Sequence, residues 1–195
     1  VMTLVKKYPE MYGVVGLHPE NISEDFDYTI FDNLDKKIVG IGEIGLDYHY
    51  TKDNKDKQIE VFERQLDIAE KLNLPVVIHS REAAGDTLEI LKKHHNFGVI
   101  HSFSGSLEMA REYIKLGFVL GVNGVVTFKN CNLKDTLKNI DINSIILETD
   151  SPYLTPVPFR GTQNNPGKMM NTARFVADIY GISLSELAEI TNQNI

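Results

Sequence analysis

Six short runs of consecutive apolar residues, at 11–17, 37–46, 74–80, 97–103, 117–122 and 144–150, constrain this chain more than any other feature. Each is rich in Val and Ile, and none shows sustained alternation with polar residues. Runs of this kind suit strands buried on both faces, as in a parallel sheet covered by helices. Between them the period changes. Within 55–73, Ile59, Phe62, Leu66, Ala69 and Leu72 recur at helical spacing, with Glu60, Glu63, Arg64, Asp67 and Lys71 on the other faces. Shorter helical patterns occupy 86–95 and 106–117, and Ser183 with Glu186 has the spacing of a capping box opening another helix. Strands alternating with helices make an α/β protein.

The polar residues choose between an open doubly wound sheet and a barrel. His18, Glu43, His79, His101 and Asp150 stand at or beside the ends of successive apolar runs. Side chains gathered from many strand ends are what a barrel produces, because its strands ring a single mouth. An open sheet places its site at a switch point, usually behind a glycine-rich phosphate loop, and this sequence has neither a GxGxxG nor a GxxxxGK[ST] segment. The expected fold is therefore a TIM-type (β/α) barrel forming a single domain over residues 1–195. It is an incomplete one. Six strands are legible where a barrel has about eight in about 250 residues, and Val1–Tyr8 reads as the tail of an earlier helix. N-terminal βα units are expected to be missing.

Charge and composition set limits on partners. With 27 acidic against 20 basic residues, the net charge of −7 counts against a broad basic surface that coats nucleic acid. It leaves room for local grip on a few phosphates, with metal ions supplying positive charge. No apolar run approaches the roughly 20 residues of a membrane helix, so no membrane role is expected, and no obligate protein partner is evident. Cys131 is the single cysteine. An internal disulfide is thereby ruled out, and a reducing, cytoplasmic setting is the expectation.

A lone histidine after a strand is more often hydrogen-bonded structure than a ligand, and a lone aspartate there is often a helix N-cap. Glu43, His79, His101 and Asp150 come from four separate strand ends, which that reading does not explain. One glutamate, two histidines and one aspartate are the donors that zinc, manganese and magnesium sites use. His94 and His95, adjacent at the end of a charged helix, read as solvent-facing.

The segments around these residues resemble the signature segments of TatD-type metal-dependent deoxyribonucleases. They are Gly42-Glu43-Ile44-Gly45-Leu46-Asp47-Tyr48, His79-Ser80-Arg81-Glu82-Ala83, His101-Ser102-Phe103-Ser104-Gly105 and Glu148-Thr149-Asp150-Ser151-Pro152-Tyr153-Leu154. Gly16-Leu17-His18-Pro19 and Pro158-Phe159-Arg160-Gly161 fit the same pattern, and all six occur in order. The resemblance implies a phosphoesterase holding two divalent ions (Mg, Mn or Zn) in the complete enzyme and acting on DNA or another phosphoester. By likeness, Glu43 bridges the metals, His79 and His101 hold one, and Asp150 holds the other while orienting or deprotonating the attacking water. Arg81 and Arg160 are candidate phosphate contacts, and His18 a candidate substrate contact. Asp47 and Tyr48 are expected to support Glu43, and His49 and Tyr50 to lie at the lip. The His-x-His pair that such proteins carry on their first strand occurs nowhere in this chain, in agreement with the strand count. Two other readings stay open. One is a barrel amidohydrolase or lactonase, against which Glu43 stands where a carboxylated lysine would be expected. The other is a non-catalytic remnant, inactive as given.

Overall fold

The computed structural model describes residues 1–22, 26–49 and 53–194. Tyr50, expected at the lip of the site, lies outside them. All six expected strands are present, each inside its expected run or within one residue of it: β1 (Gly13–Val15), β2 (Ile38–Asp47), β3 (Val76–Arg81), β4 (Gly98–Ile100), β5 (Phe118–Val122) and β6 (Ile145–Leu147). They form a six-stranded sheet whose order follows the chain. β1 with β2, β2 with β3, and β5 with β6 pair in parallel. The helices are α1 (Met2–Lys7), α2 (Lys55–Leu72), α3 (Ala84–Leu91), α4 (Leu107–Lys115), α5 (Leu133–Leu137), α6 (Met169–Tyr180) and α7 (Leu184–Gln193). Among the described residues, no helix is long and apolar enough to cross a membrane. The chain divides into two compact units, Val1–Val99 and Ile100–Ile195.

In the first unit the core is Ile41, Ile44 and Leu46 of β2, Val76 and Ile78 of β3, and Phe62, Leu66 and Ala69 of α2, all 0% exposed. The buried stripe of α2 differs from the expected one. Leu72 is exposed, while Gln58 and Gln65 are fully buried. A buried amide is costly unless hydrogen-bonded, and both glutamines are bonded to the backbone just beyond or at a strand end. Gln65 accepts the Leu17 N–H at 2.7 Å and donates to the Leu17 carbonyl at 3.2 Å. Gln58 does the same for Asp47, at 2.8 Å in each direction. Two polar positions of α2 thus fix the main chain beside His18 and at Asp47. The helix ends at Asn73 in the left-handed conformation, φ 52°, a common helix stop.

In the second unit Leu120 and Val122 of β5, Ile145 of β6, Leu137 of α5 and Val176 of α6 are 0% exposed. The expected capping box opens α7. Ser183 accepts the Glu186 N–H at 3.2 Å, and Glu186 takes the Ser183 N–H at 2.8 Å. The short α5 was not anticipated by the sequence pattern.

Candidate metal centre

β2 supplies the first group of side chains. Its register with β3 sets Gly42 opposite Val77 and resumes with Ile44 opposite Ile78, which leaves Glu43 as the extra residue of a bulge. Glu43 therefore lies inside β2, not at its end as the apolar pattern suggested; bulges re-aim side chains and are frequent beside functional sites. Beyond the bulge Gly45 pairs with His79. Residues two apart on a strand share a face, so Glu43 and Asp47 flank the position opposite His79. The imidazole is held at both ends, Nδ1 2.8 Å from Glu43 Oε1 and Nε2 2.9 Å from Asp47 Oδ2. Gly45, between the carboxylates, has φ 142°, and a Cβ added there would overlap the His79 carbonyl oxygen.

Asp47 is 0% exposed, and its second carboxylate oxygen accepts the His49 N–H at 2.8 Å. Glu43 and His79 are more open, with side chains 30% and 18% exposed. His18 completes the group. Its Nδ1 accepts the Glu20 N–H at 3.2 Å. Its Nε2 lies 3.8 Å from Glu43 Oε1, and its ring meets that of His79 edge-on at 4.5 Å. One ligand atom from each of His18, Glu43 and His79 lies within 4.8 Å of the others. Burial, then the neighbouring His79, lowers the pKa of His18 and favours its neutral form. Burial works to lower that of His79 as well, but the hydrogen bonds its ring makes to the Glu43 and Asp47 carboxylates outweigh it and the net shift is upward.

A carboxylate behind a histidine fixes the tautomer and makes the opposite ring nitrogen a better ligand. Asp47 stands behind His79 in this way, leaving Nδ1 directed at the Glu43 side. Imidazole nitrogens and carboxylate oxygens at this spacing fit a divalent ion.

The second unit holds a matching arrangement of its own. Glu148 follows β6 directly and places Oε2 2.7 Å from His101 Nδ1. Its Oε1 accepts the Ser102 N–H at 2.7 Å and the Asn123 amide at 3.2 Å. Asn123 is 3% exposed and also donates to Ser102 Oγ at 2.8 Å. Gly121 makes room for this carboxylate, since an added Cβ would stand 2.5 Å from Glu148 Oε2. At the far side of the ring, His101 Nε2 is 3.5 Å from Asp150 Oδ1. Ser102 and Asp150 have left-handed backbones, φ 48° and 55°. For residues other than glycine this costs about 1–3 kcal/mol, and such strain gathers at functional sites.

Several expectations are corrected. Asp47 reaches His79, Oδ2 to Nε2 at 2.9 Å. Tyr48 is directed elsewhere: its hydroxyl donates to Asp86 at 2.8 Å, and Lys55 lies 4.8 Å over its ring. Burial, then Asp86, pushes the Tyr48 hydroxyl pKa well up. His18 joins the candidate ligands. His94 is not solvent-facing, with its side chain 13% exposed beside Asp67 and Glu70. Arg81 ends β3 and is exposed, its carbonyl accepting the Tyr48 N–H at 3.0 Å. Arg160 lays its guanidinium 3.8 Å over the Phe128 ring. His49 Nδ1 is 2.6 Å from Glu82 Oε1. Glu148 and Asn123 were missed as site residues. The signal for Glu148 was a charged residue at the end of an otherwise apolar run, two positions before Asp150.

Comparison with known proteins gives a consistent picture. The family model described as TatD related DNase matches residues 1–195. The chain is 39% identical over 201 residues to an uncharacterized metal-dependent hydrolase, YabD of Bacillus subtilis, covering 99% of this chain and 79% of that one. It is 38% identical over 185 residues to a second, YcfH of Escherichia coli K12, covering 92% and 70%. Its fold is similar to the crystal structure of YjjV, a TatD homolog from Escherichia coli K12, with a TM-score of 0.93, 29% identity and coverage of 99% and 78%. The fold class is thereby an α/β, TIM-type barrel architecture with six strands in this chain.

Proposed function

The chain belongs to the TatD related DNase family, and on that premise we propose that it is a divalent-metal-dependent hydrolase of DNA phosphodiester bonds. The observation that carries the reading is the repeated pairing of an imidazole with a carboxylate behind it. Asp47 stands behind His79, and Glu148 behind His101, at 2.9 and 2.7 Å. One such pair is common in protein interiors. Two of them, each directed at a further carboxylate on the other side of the ring, make a pattern of oriented metal ligands.

In this proposal Glu43, His79, His101 and Asp150 are the protein ligands of divalent ions (Mg, Mn or Zn), two in the complete enzyme. His18 supplies a further neutral nitrogen beside Glu43. Divalent ions held there would acidify a bound water and offset charge building on the phosphate. The chain's own groups do the rest. Asp47 and Glu148 keep each imidazole in one tautomer. Asp150, held in a left-handed backbone and 35% exposed, orients the attacking water and takes its proton. Arg81 and Arg160 supply bidentate contacts to phosphate oxygens.

The test is cleavage of single-stranded DNA by the purified protein with Mg²⁺ or Mn²⁺, with and without chelator. Metal-dependent cleavage is the expected result. Cleavage that survives chelation, or hydrolysis confined to lactones or amides, refutes the proposal.

A further inference from the structure

On the role proposed for Asp150, we infer that Asn164 is its positioning residue, acting through the turn that carries it. The chain leaves β6 at Leu147 and sends the Glu148 carboxylate to one nitrogen of His101. Two residues on, Asp150 Oδ1 lies 3.5 Å from the other nitrogen. Reaching both ends of one ring from so short a stretch goes with the left-handed backbone of Asp150, φ 55°. A residue other than glycine keeps such a backbone only where its surroundings over-determine it. Peptide units are planar, so the φ and ψ of Asp150 follow from the orientations of the two units that flank it. The unit after Asp150 is fixed within the turn, where its carbonyl accepts the Tyr153 N–H at 2.8 Å. The unit before it is fixed from outside, by Asn164.

Asn164 is 5% exposed. Its Nδ2 donates to the Thr149 carbonyl at 2.8 Å and to the Tyr153 carbonyl at 2.6 Å, which brackets the turn at both ends. Its backbone N–H takes the Pro152 carbonyl at 2.9 Å. Its Oδ1 accepts the Asn165 N–H at 2.9 Å, and this bond decides which half of the amide faces the turn. A primary amide suits the task, because one nitrogen carries two donors; a carboxylate of the same size has none and a hydroxyl only one. The segment bearing Asn164 is fastened in turn. Thr155, 6% exposed, donates to the Thr162 carbonyl at 2.6 Å. Lys168 Nζ donates to Thr162 Oγ1 at 2.7 Å and to the Gln163 carbonyl at 2.6 Å. The Asn164 side chain grips main-chain groups, so its influence reaches the candidate centre through the backbone of Asp150.

The test is a double-mutant cycle on the purified protein: wild type, Asn164→Ala, Asp150→Asn and the two combined. Each is assayed for cleavage of single-stranded DNA with Mn²⁺ and, separately, for Mn²⁺ affinity by electron paramagnetic resonance. Asn164→Ala should lower kcat about 10–100-fold, the scale for a reacting group displaced by about 1 Å. KM should stay within about twofold, as for an interaction made in the transition state, and Mn²⁺ should bind about tenfold more weakly. In the Asp150→Asn background the same substitution should cost less than about threefold in either measurement, since nothing is left to position. Full, additive losses mark a merely structural role and overturn the inference, as does a folded Asn164→Ala protein with wild-type kcat and Mn²⁺ affinity. Should Asn164→Ala fail to fold, Thr155→Val keeps the side-chain volume and loosens the same segment. It should show a smaller loss that Asp150→Asn likewise cancels, and no loss in the folded variant overturns the inference. If Asp150→Asn alone changes neither measurement, the role proposed for Asp150 is wrong and that of Asn164 falls with it, whereas additive losses leave the role of Asp150 standing. Wild type that binds Mn²⁺ without cleaving DNA would refute the proposed substrate, and the Mn²⁺ cycle would still decide the part played by Asn164.

Discussion

Asp47→Asn isolates the orientation of His79 from every other property of the candidate centre. The native carboxylate is 0% exposed; it accepts the His49 N–H at 2.8 Å and faces His79 Nε2 at 2.9 Å. Asparagine keeps the volume and one oxygen. A backbone N–H can only donate, so that oxygen stays with His49 and the amide NH₂ turns to His79 Nε2. This nitrogen must then accept, which moves the ring proton to Nδ1, the atom 2.8 Å from Glu43. A protonated nitrogen cannot ligate a cation. Losing the group behind a metal-binding histidine costs about 10–100-fold in metal affinity, or about 1.4–2.7 kcal/mol. Titration with Mn²⁺ followed by electron paramagnetic resonance reads the affinity, and thermal melting checks the fold. Weakening in that range with an intact fold is expected. Wild-type affinity in a folded Asp47→Asn protein would refute the assigned orientation.

Three further outcomes are expected. Gly121→Ala places a methyl 2.5 Å from Glu148 Oε2, which should displace the carboxylate behind His101 and lower kcat for DNA cleavage about tenfold or more; unchanged kcat would count against the role given to Glu148. Asp150→Asn should lower kcat by about 10²–10⁴, the range for a group that moves the proton in the transition state, and a smaller loss would assign the proton transfer to another residue. The Ser183 hydroxyl and backbone N–H hold the Glu186 carboxyl below its usual pKa. The stabilisation this brings is present above the ordinary carboxylate range and is lost as pH falls through the depressed value. The melting-temperature gap between wild type and Ser183→Ala should therefore shrink in acid, and a constant gap would show that the capping carboxylate is not involved.

The sheet was legible because strands buried on both faces leave an unbroken apolar signature, and all six strands fall inside the runs that announced them or within a residue of doing so. What periodicity could not give was the bulge. Glu43 reads as the end of a run when it is an extra residue within a strand of ten, and an insertion of that kind shows only in the pairing with β3. The same limit applies to α2, where Gln58 and Gln65 look like surface residues by type and are buried because each satisfies a strand-end backbone in both directions. Tyr48 was placed by sequence adjacency to Asp47, but neighbours along a strand face opposite ways, and its partner Asp86 lies on α3. Glu148 was hidden for the converse reason. Its partner His101 is 47 positions away, a separation that no local pattern encodes.

The placement of Glu43, Gly45 and Asp47 on alternate positions of a single strand bears on which length changes the chain can tolerate. Loops accept insertions at modest entropic cost. Within the four-residue interval from Glu43 to Asp47 there is no such latitude. Adding or deleting one residue there rotates one carboxylate to the opposite face of the sheet and separates the two ends of the clamp on His79. Any descendant of this sequence that keeps the clamp must keep that interval to the residue, however freely its loops are lengthened or cut.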